Sequence, residues 1–413
     1  MAKKPYDWKT TRLDDHSKQK HKVIGEYFRQ YLITRCKIPQ QEKFRLSVVD
    51  AFSGAGKYAC GNYGSPLIFI ETLKKSLVEI NTTRAANGMK QIEIECLFIF
   101  NDADKEAIEL LKENVTPFLA DIKATCPQLH VQMHYFSEDF DKIYTDLKTS
   151  LQSSYGNVMF NLDQYGSKDV NREIIKDIFQ TWKSAEAFLT FSIGTVLTYI
   201  SMNKEKNSVL TKDEDLLKEI YALTEATVLN KKEWLALVEK VIFSRLGELA
   251  PYSTPFSIHN KEGWRYWLLH FANSPRARQV FNDVLHENSS AQIHIGRSGL
   301  RMLSAEPSEG TPYLFDTTSR EAAKKELYED IPRLITEQGD AMNVGDFRAR
   351  IYNETPAHSD DINAMILANP DLEVLTSDGG GARRSANAIR SEDTIRIKSQ
   401  KSFSFPLFLG KEK

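Results

Sequence analysis

The residues best suited to chemistry stand where apolar runs end. Leu46-Ser-Val-Val-Asp50 passes into Asp50-Ala-Phe52-Ser53-Gly54-Ala-Gly56, where small residues let the backbone turn sharply and come close to a ligand. Beyond it, Gly64-Ser65-Pro66 reads as a helix start, with Ser65 the cap and Pro66 the opening residue. Such an end offers free N–H groups to a carboxylate or phosphate. The turn lacks the third glycine of a dinucleotide cradle and the Gly-Lys-[Ser/Thr] of an NTP loop, which sets both aside. A tight strand–helix turn without a ligand is the competing reading. A second run ends at Phe100-Asn-Asp102-Ala-Asp104. An acid there accepts hydrogen bonds from ribose hydroxyls, which suits Asp102, while Asp104 suits a helix cap. A third ends at Phe136-Ser-Glu138-Asp139, where one acid can meet an adenine amino group or stand in a solvated loop. The fourth delivers Asn161-Leu-Asp163-Gln164-Tyr165-Gly166. Asp163 can accept a proton, orient a nucleophile or cap the next helix, and Tyr165 can stack on a planar substrate.

Those ends need a sheet to position them. Strands are expected at 46–50, 92–100, 130–136, 158–162 and 187–192, and between them lie helical patterns. The helix before the first strand carries Val23, Ile24, Tyr27, Phe28, Tyr31 and Leu32 on one face; others are expected at 66–75 and around 107–111. Alternation of this kind predicts a parallel sheet with helices on both faces, and ligands outside the carboxyl ends of its strands. Residues 203–290 read as mainly helical, although the aromatic stretch 263–271 suits a late strand. A Gly/Ser/Pro-containing stretch at 299–312 reads as a linker. Beyond it come helical patterns at 324–338, 344–352 and 356–368, the last capped by Thr355 and opened by Pro356. A hairpin follows, from 373–376 through Gly379-Gly-Gly381 to 394–398. Three helices and a hairpin suit a winged helix. The expected division is therefore 1–298, with a helical insertion at about 203–260, a linker at 299–313, and a winged-helix-like module at 314–413.

The whole chain is no polycation: 54 Lys and Arg face 56 Asp and Glu among its 413 residues. Nucleic-acid binding would need a local patch, and there are two. Residues 1–22 hold seven Lys or Arg against three Asp, including His16, Lys20 and His21. His16 and Lys20 share a helix face, and a cation there can bind a phosphate or carboxylate or simply be solvated. Residues 380–401 carry Arg383, Arg384, Arg390, Arg396, Lys398 and Lys401 against Glu392 and Asp393. A wing bearing Arg383 and Arg384 can meet phosphates. Ser359-Asp360-Asp361, at the start of the helix that would enter a groove, disfavours DNA, so protein docking competes. Cys36, Cys60, Cys96 and Cys126 are too scattered for a metal site or dithiol and read as buried free thiols. No apolar run is long enough to span a bilayer, and no apolar stretch follows the N-terminal lysines, so a cytoplasmic protein is expected.

Taken in order, the strand-end elements resemble the Class I S-adenosylmethionine-dependent methyltransferases. The resemblance assigns Asp50, Phe52, Ser53, Gly54, Gly56, Ser65, Asp102 and Asp139 to the cofactor. Asp163, Gln164 and Tyr165 fall at the catalytic strand end, where amino methyltransferases carry [DN]PP[YF] and this chain has Gln164 in place of the prolines. More narrowly, Asp15-His16-Ser-Lys-Gln-Lys20-His21, Asp50-Ala-Phe-Ser-Gly-Ala-Gly56, Gly64-Ser-Pro66 and Leu162-Asp163-Gln-Tyr-Gly166 resemble the three-Cys-motif partner protein family. That resemblance implies a methyltransferase-like fold and a partner carrying a three-cysteine, iron–sulfur type motif. The expected activity is methylation of a nucleic-acid base or related nucleoside, with His16, Lys20, Arg383 and Arg384 toward the substrate. The alternative is a non-catalytic scaffold that binds the cysteine-motif partner and nucleic acid, as in phage defence.

Overall fold

Apolar runs of six to nine residues become the central strands. The computed structural model describes residues 8, 10–152, 155–164, 170–194, 218–222, 231–259, 265–288, 293–295, 313–314 and 317–399. The chain divides into two compact units, Met1–Arg301 with Pro307–Ser319, and Met302–Glu306 with Arg320–Lys413.

In the first unit, β1 (Lys43–Asp50), β2 (Glu93–Asn101), β3 (Leu129–Phe136), β4 (Asn157–Leu162) and β5 (Ser184–Phe191) run parallel. Helices α1 (Asp15–Arg35), α2 (Ser65–Ala86), α3 (Lys105–Thr125), α4 (Phe140–Gln152) and α5 (Arg172–Thr181) precede and connect them. After α6 (Lys231–Gly247), β6 (Tyr252–His259) and β7 (Arg265–Ala272) form a hairpin whose second strand pairs antiparallel with β5. Helix α7 (Pro275–Glu287) and two short strands, β8 (Ile293–Ile295) and β9 (Tyr313–Leu314), complete the described part of this unit. The sheet order is β3-β2-β1-β4-β5-β7-β6-β8-β9. A parallel run in the order 3-2-1-4-5, closed by an antiparallel strand beside β5, is a Rossmann-like, methyltransferase-like sheet.

Two apolar layers hold this sheet. On one side Phe28, Phe69, Leu73 and Phe281 pack from α1, α2 and α7, with Phe98 and Phe100 of β2; on the other Tyr144, Leu147, Ile178 and Val238 pack from α4, α5 and α6. Register matters more for function. Asp50 lies level with Phe100 on β2 and with Asn161 on β4. Because β2 and β4 flank β1, the chain's winding reverses at β1, and a crevice opens at that point in such sheets.

Several expectations meet corrections. Residues 252–259 form a strand, not a helix, although Pro255 within it cannot donate to a ladder. It is tolerated because β8 pairs with β6 only at Ser257 and Ile258 among the described residues. The aromatic stretch does form a strand, β7. Helix α2 runs on to Ala86, and its N-cap is Gly64, with Ser65 already inside the first turn. The linker expected at 299–313 lies almost wholly outside the described residues, as does much of the expected insertion.

The second unit holds α8 (Thr317–Glu337) from Arg320 onward, β10 (Ala341–Asn343), α9 (Val344–Ile351), α10 (Ser359–Ala368), β11 (Leu372–Leu375) and β12 (Thr394–Ile397). Its antiparallel sheet has the order β10-β12-β11. Leu327, Ile331, Phe347, Ile362, Val374 and Ile395 are buried. The N-cap of α10 is His358, whose Nδ1 accepts from the Asp360 N–H at 3.1 Å, whereas Thr355 Oγ1 accepts from Ala357 N in the turn before it. Among the described residues no helix is long and apolar enough to cross a membrane.

Candidate functional site at the strand ends

The parallel register brings the carboxyl ends of β1, β2 and β4 to one level, and side-chain amides lace them together. Asn161 Nδ2 donates to Asp50 Oδ1 at 3.1 Å, and Asn101 Nδ2 donates to the Ala51 carbonyl at 3.1 Å. Ser53 N donates to the Asn101 carbonyl at 2.9 Å. Asp50 is fully buried, and burial pushes its carboxyl up to about 7; Asp163 nearby pushes the same way, while Ser65 and Asn161 oppose. Its Oδ2 is buried without a hydrogen-bond partner among the described residues.

The turn after β1 is a backbone that only glycine supports. Gly54 and Gly56 have φ of +57° and +72°. A Cβ on Gly56 would lie 2.5 Å from Leu111 Cδ1, and one on Gly54 would lie 2.7 Å from two ring carbons of Trp8. Gly64 N donates back to the Gly56 carbonyl at 2.7 Å, which docks the start of α2 on the turn. Phe52 is half-buried, its ring 6.3 Å from that of Phe140.

Asp102 meets this turn directly. Its Oδ2 accepts from Gly54 N at 2.9 Å and its Oδ1 from Asp104 N at 2.9 Å. Burial raises its carboxyl, and those two N–H donors oppose the rise. Asp104 caps α3 through Glu106 N and accepts the Trp8 indole N–H at 2.8 Å. Asp139 makes none of these contacts, although the Asn101 amide holds the backbone of Glu138 beside it. It is largely exposed, forms an ion pair with Lys142 at 2.5 Å, and its carbonyl accepts from the first turn of α4.

At the end of β4, Lys20 Nζ reaches both oxygens of Asp163, at 2.6 and 2.5 Å. Lys20 is only 7% exposed, so its ammonium meets this carboxylate rather than solvent. Burial alone would raise the Asp163 carboxyl; Lys20 outweighs it, His21 and Thr190 add to the effect, and the group falls below its ordinary value. Asp163 is therefore a charged acceptor already engaged, which makes it poor at taking a proton. Gln164 is buried, and its Oε1 accepts from Val170 N at 3.0 Å. Tyr165 lies outside the described residues, and so does the side chain of His16, whose backbone stands in the first turn of α1.

In the second unit, Arg383 is bound bidentately by Asp393, both contacts at 2.9 Å. Arg396 pairs with Glu373 and Lys398 donates to the Pro370 carbonyl, while Arg384 and Arg390 are exposed. Asp361, counted from sequence as a surface acid, is buried and gripped by Arg320 at 2.9 Å. Cys36, Cys96 and Cys126 are buried as expected, but Cys60 is exposed, and N–H groups of Leu13 and Asn62 bring its thiol down to about 7. Among the described residues no three His, Cys, Asp or Glu are placed to hold a metal ion.

Two residues went unmarked in the sequence. Trp8 lies in a polar stretch with no periodicity, and nothing in its neighbours ties it to residues 54 and 104. Asn101 is an ordinary strand residue until register sets its amide beside the end of β1.

No protein-family model matches the chain, and no curated protein matches it. Solved structures do resemble it. The O-methyltransferase TomG from Streptomyces achromogenes, in complex with SAM, is 10% identical, with 63% of this chain and 91% of that one covered and a TM-score of 0.27. Cofactor-bound Rv0187 from MTB is 8% identical, with 63% and 91% covered and a TM-score of 0.26. The METTL16 methyltransferase domain is 11% identical, with 60% and 81% covered and a TM-score of 0.24.

Proposed function

We propose that this protein is an S-adenosylmethionine-dependent methyltransferase acting on a nucleic-acid base or related nucleoside. One observation carries the reading: a left-handed glycine turn at the switch point of the sheet is hydrogen-bonded to a carboxylate from the neighbouring strand. The donor set suits the cofactor. Asp102 retains lone pairs for sugar hydroxyls, and the start of α2 presents N–H groups to a carboxylate. The bound cofactor would supply an electrophilic methyl group. The chain's own residues would hold the acceptor atom about 3 Å from it and in line. Asp163, kept charged and fixed by Lys20, would orient that acceptor, and Tyr165 would stack on its ring. A base within a duplex would first have to leave the stack.

The second unit supports a nucleic-acid role through its element order, which suits a winged-helix-like module, and through exposed Arg384 and Arg390. A partner carrying a three-cysteine motif belongs to the same proposal, resting on the resemblance alone. The scaffold reading is favoured by one feature: Asp163 and Gln164 are both engaged within the chain. Calorimetric titration with S-adenosylmethionine and its demethylated product decides cofactor use, and absence of binding at millimolar ligand refutes it. Gly54→Arg should abolish binding, since a side chain there strains a backbone with φ of +57° and its Cβ would stand 2.7 Å from the Trp8 ring. Asp163→Asn should bind and lose turnover; full turnover in that variant would remove Asp163 from the chemistry.

A further inference from the structure

The indole of Trp8 makes two contacts that the strand-end site alone does not call for. Its six-membered ring lies close enough to Gly54 that a Cβ there would stand 2.7 Å from Cη2 and Cζ3. Its Nε1 donates to Asp104 Oδ2 at 2.8 Å. Gly54 and Asp104 are the two residues whose N–H groups hold the Asp102 carboxylate, one on each oxygen. An indole that touches both therefore lies beside the two residues that hold Asp102. The segment before α1 makes a second contact close by, Ala59 N donating to the Thr11 carbonyl at 3.0 Å, so its approach to this turn does not rest on Trp8 alone.

We propose that Trp8 occupies the sugar-binding side of the crevice and must be displaced when the nucleoside part of the cofactor binds. The inference rests on the methyltransferase reading. Two hydroxyls of a ribose approaching Asp102 need the volume that the indole fills, and they would replace the indole N–H as donors to this acidic corner. The exchange is thus one donor set for another, at the cost of moving an aromatic ring out of contact with Gly54. Apparent affinity is lowered by the fraction of molecules in which the indole is in place. Trp8 then sets the affinity of the site without contributing to the reaction itself.

The experiment titrates S-adenosylmethionine into wild-type protein, Trp8→Ala and Trp8→Phe by calorimetry, with circular dichroism on the same samples to establish that each is folded. Trp8→Ala should bind about tenfold more tightly, a change of about 1.4 kcal/mol. Trp8→Phe, which keeps a ring but loses the N–H, should fall between. Wild-type tryptophan emission should change on ligand addition, and that change should vanish in Trp8→Phe. Equal or weaker binding by Trp8→Ala overturns the displacement of Trp8 and leaves the cofactor reading standing. Absence of binding in all three proteins overturns both.

Discussion

Two ion pairs, one in each unit, claim cations that composition had marked for ligands. Arg383 and Asp393 are ten residues apart and close the hairpin that carries them, with Asp393 also accepting the Arg390 N–H at 2.7 Å. Lys20 and Asp163 are 143 residues apart and join the opening helix to the end of β4. The first pair is local and braces a loop. The second is long-range, nearly buried, and sits at the point where chemistry is proposed. A positive patch read from sequence thus overstates the charge available to a partner, because the acids that consume it are set by tertiary register.

The sharpest way to break this contrast is Asp163→Ala, which leaves the Lys20 ammonium enclosed without its counterion. Losing one member of a buried pair costs roughly 3–5 kcal/mol, to be read from urea denaturation; a loss within error would show that the pair is solvated. Replacing both partners, by Lys20→Met with Asp163→Leu, should recover most of that stability.

Acidity separates the two neighbouring carboxyls at the site. Asp50 has a folded value of about 7, above the ~3.9 of an unfolded aspartate. The folded state therefore holds a proton the unfolded state has lost. That contribution is complete below about pH 4 and disappears as pH rises through 7. Asp163, with its value lowered, contributes the opposite way: its share is present above about pH 4 and lost as pH falls. The free energy of unfolding, from denaturant titrations, should decline between pH 5 and 7 by an amount on the order of a few kcal/mol, and Asp50→Asn should flatten the decline. An unchanged slope in that variant would assign the titration elsewhere.

A smaller loss is expected from Asp393→Ala, whose cation remains in contact with water. Its melting temperature should drop, yet by less than that of Asp163→Ala. Smallest of all is Arg384→Ala, which touches no described acid. It should leave stability unaltered and reduce the salt-dependence slope of nucleic-acid binding by about 1. If binding is unaffected, the exposed arginines face something other than phosphate.

Much of the strand-end site was legible beforehand. Apolar runs ending in Asp50, Asn101 and Leu162 are bounded by glycines and acids, and such borders survive folding because a buried strand tolerates polar groups only at its ends. Asp102 beside Gly54 follows from that pattern. What escaped were partnerships between distant residues: Lys20 with Asp163, Trp8 with Asp104, Arg320 with Asp361. Local periodicity carries no information about them. Ser65 and Thr355 were misplaced as caps by one and three residues: Gly64 stands at the cap position of α2 without a side-chain bond, and His358 caps α10. The strand at 252–259 was obscured by Pro255, harmless only where pairing on one side is short.

Helix α1 touches β4 at both extremities, Lys20 reaching Asp163 and Arg35 reaching Asn157. Fifteen helical steps at 1.5 Å give about 22 Å, and six extended steps at about 3.3 Å give about 20 Å. The helix therefore works as a gauge laid along the strand. Removing a single residue between its two anchors would swing one of them by about 100° and release either the top or the bottom of β4. Length in this segment should be as tightly constrained as the identity of the residues it bears.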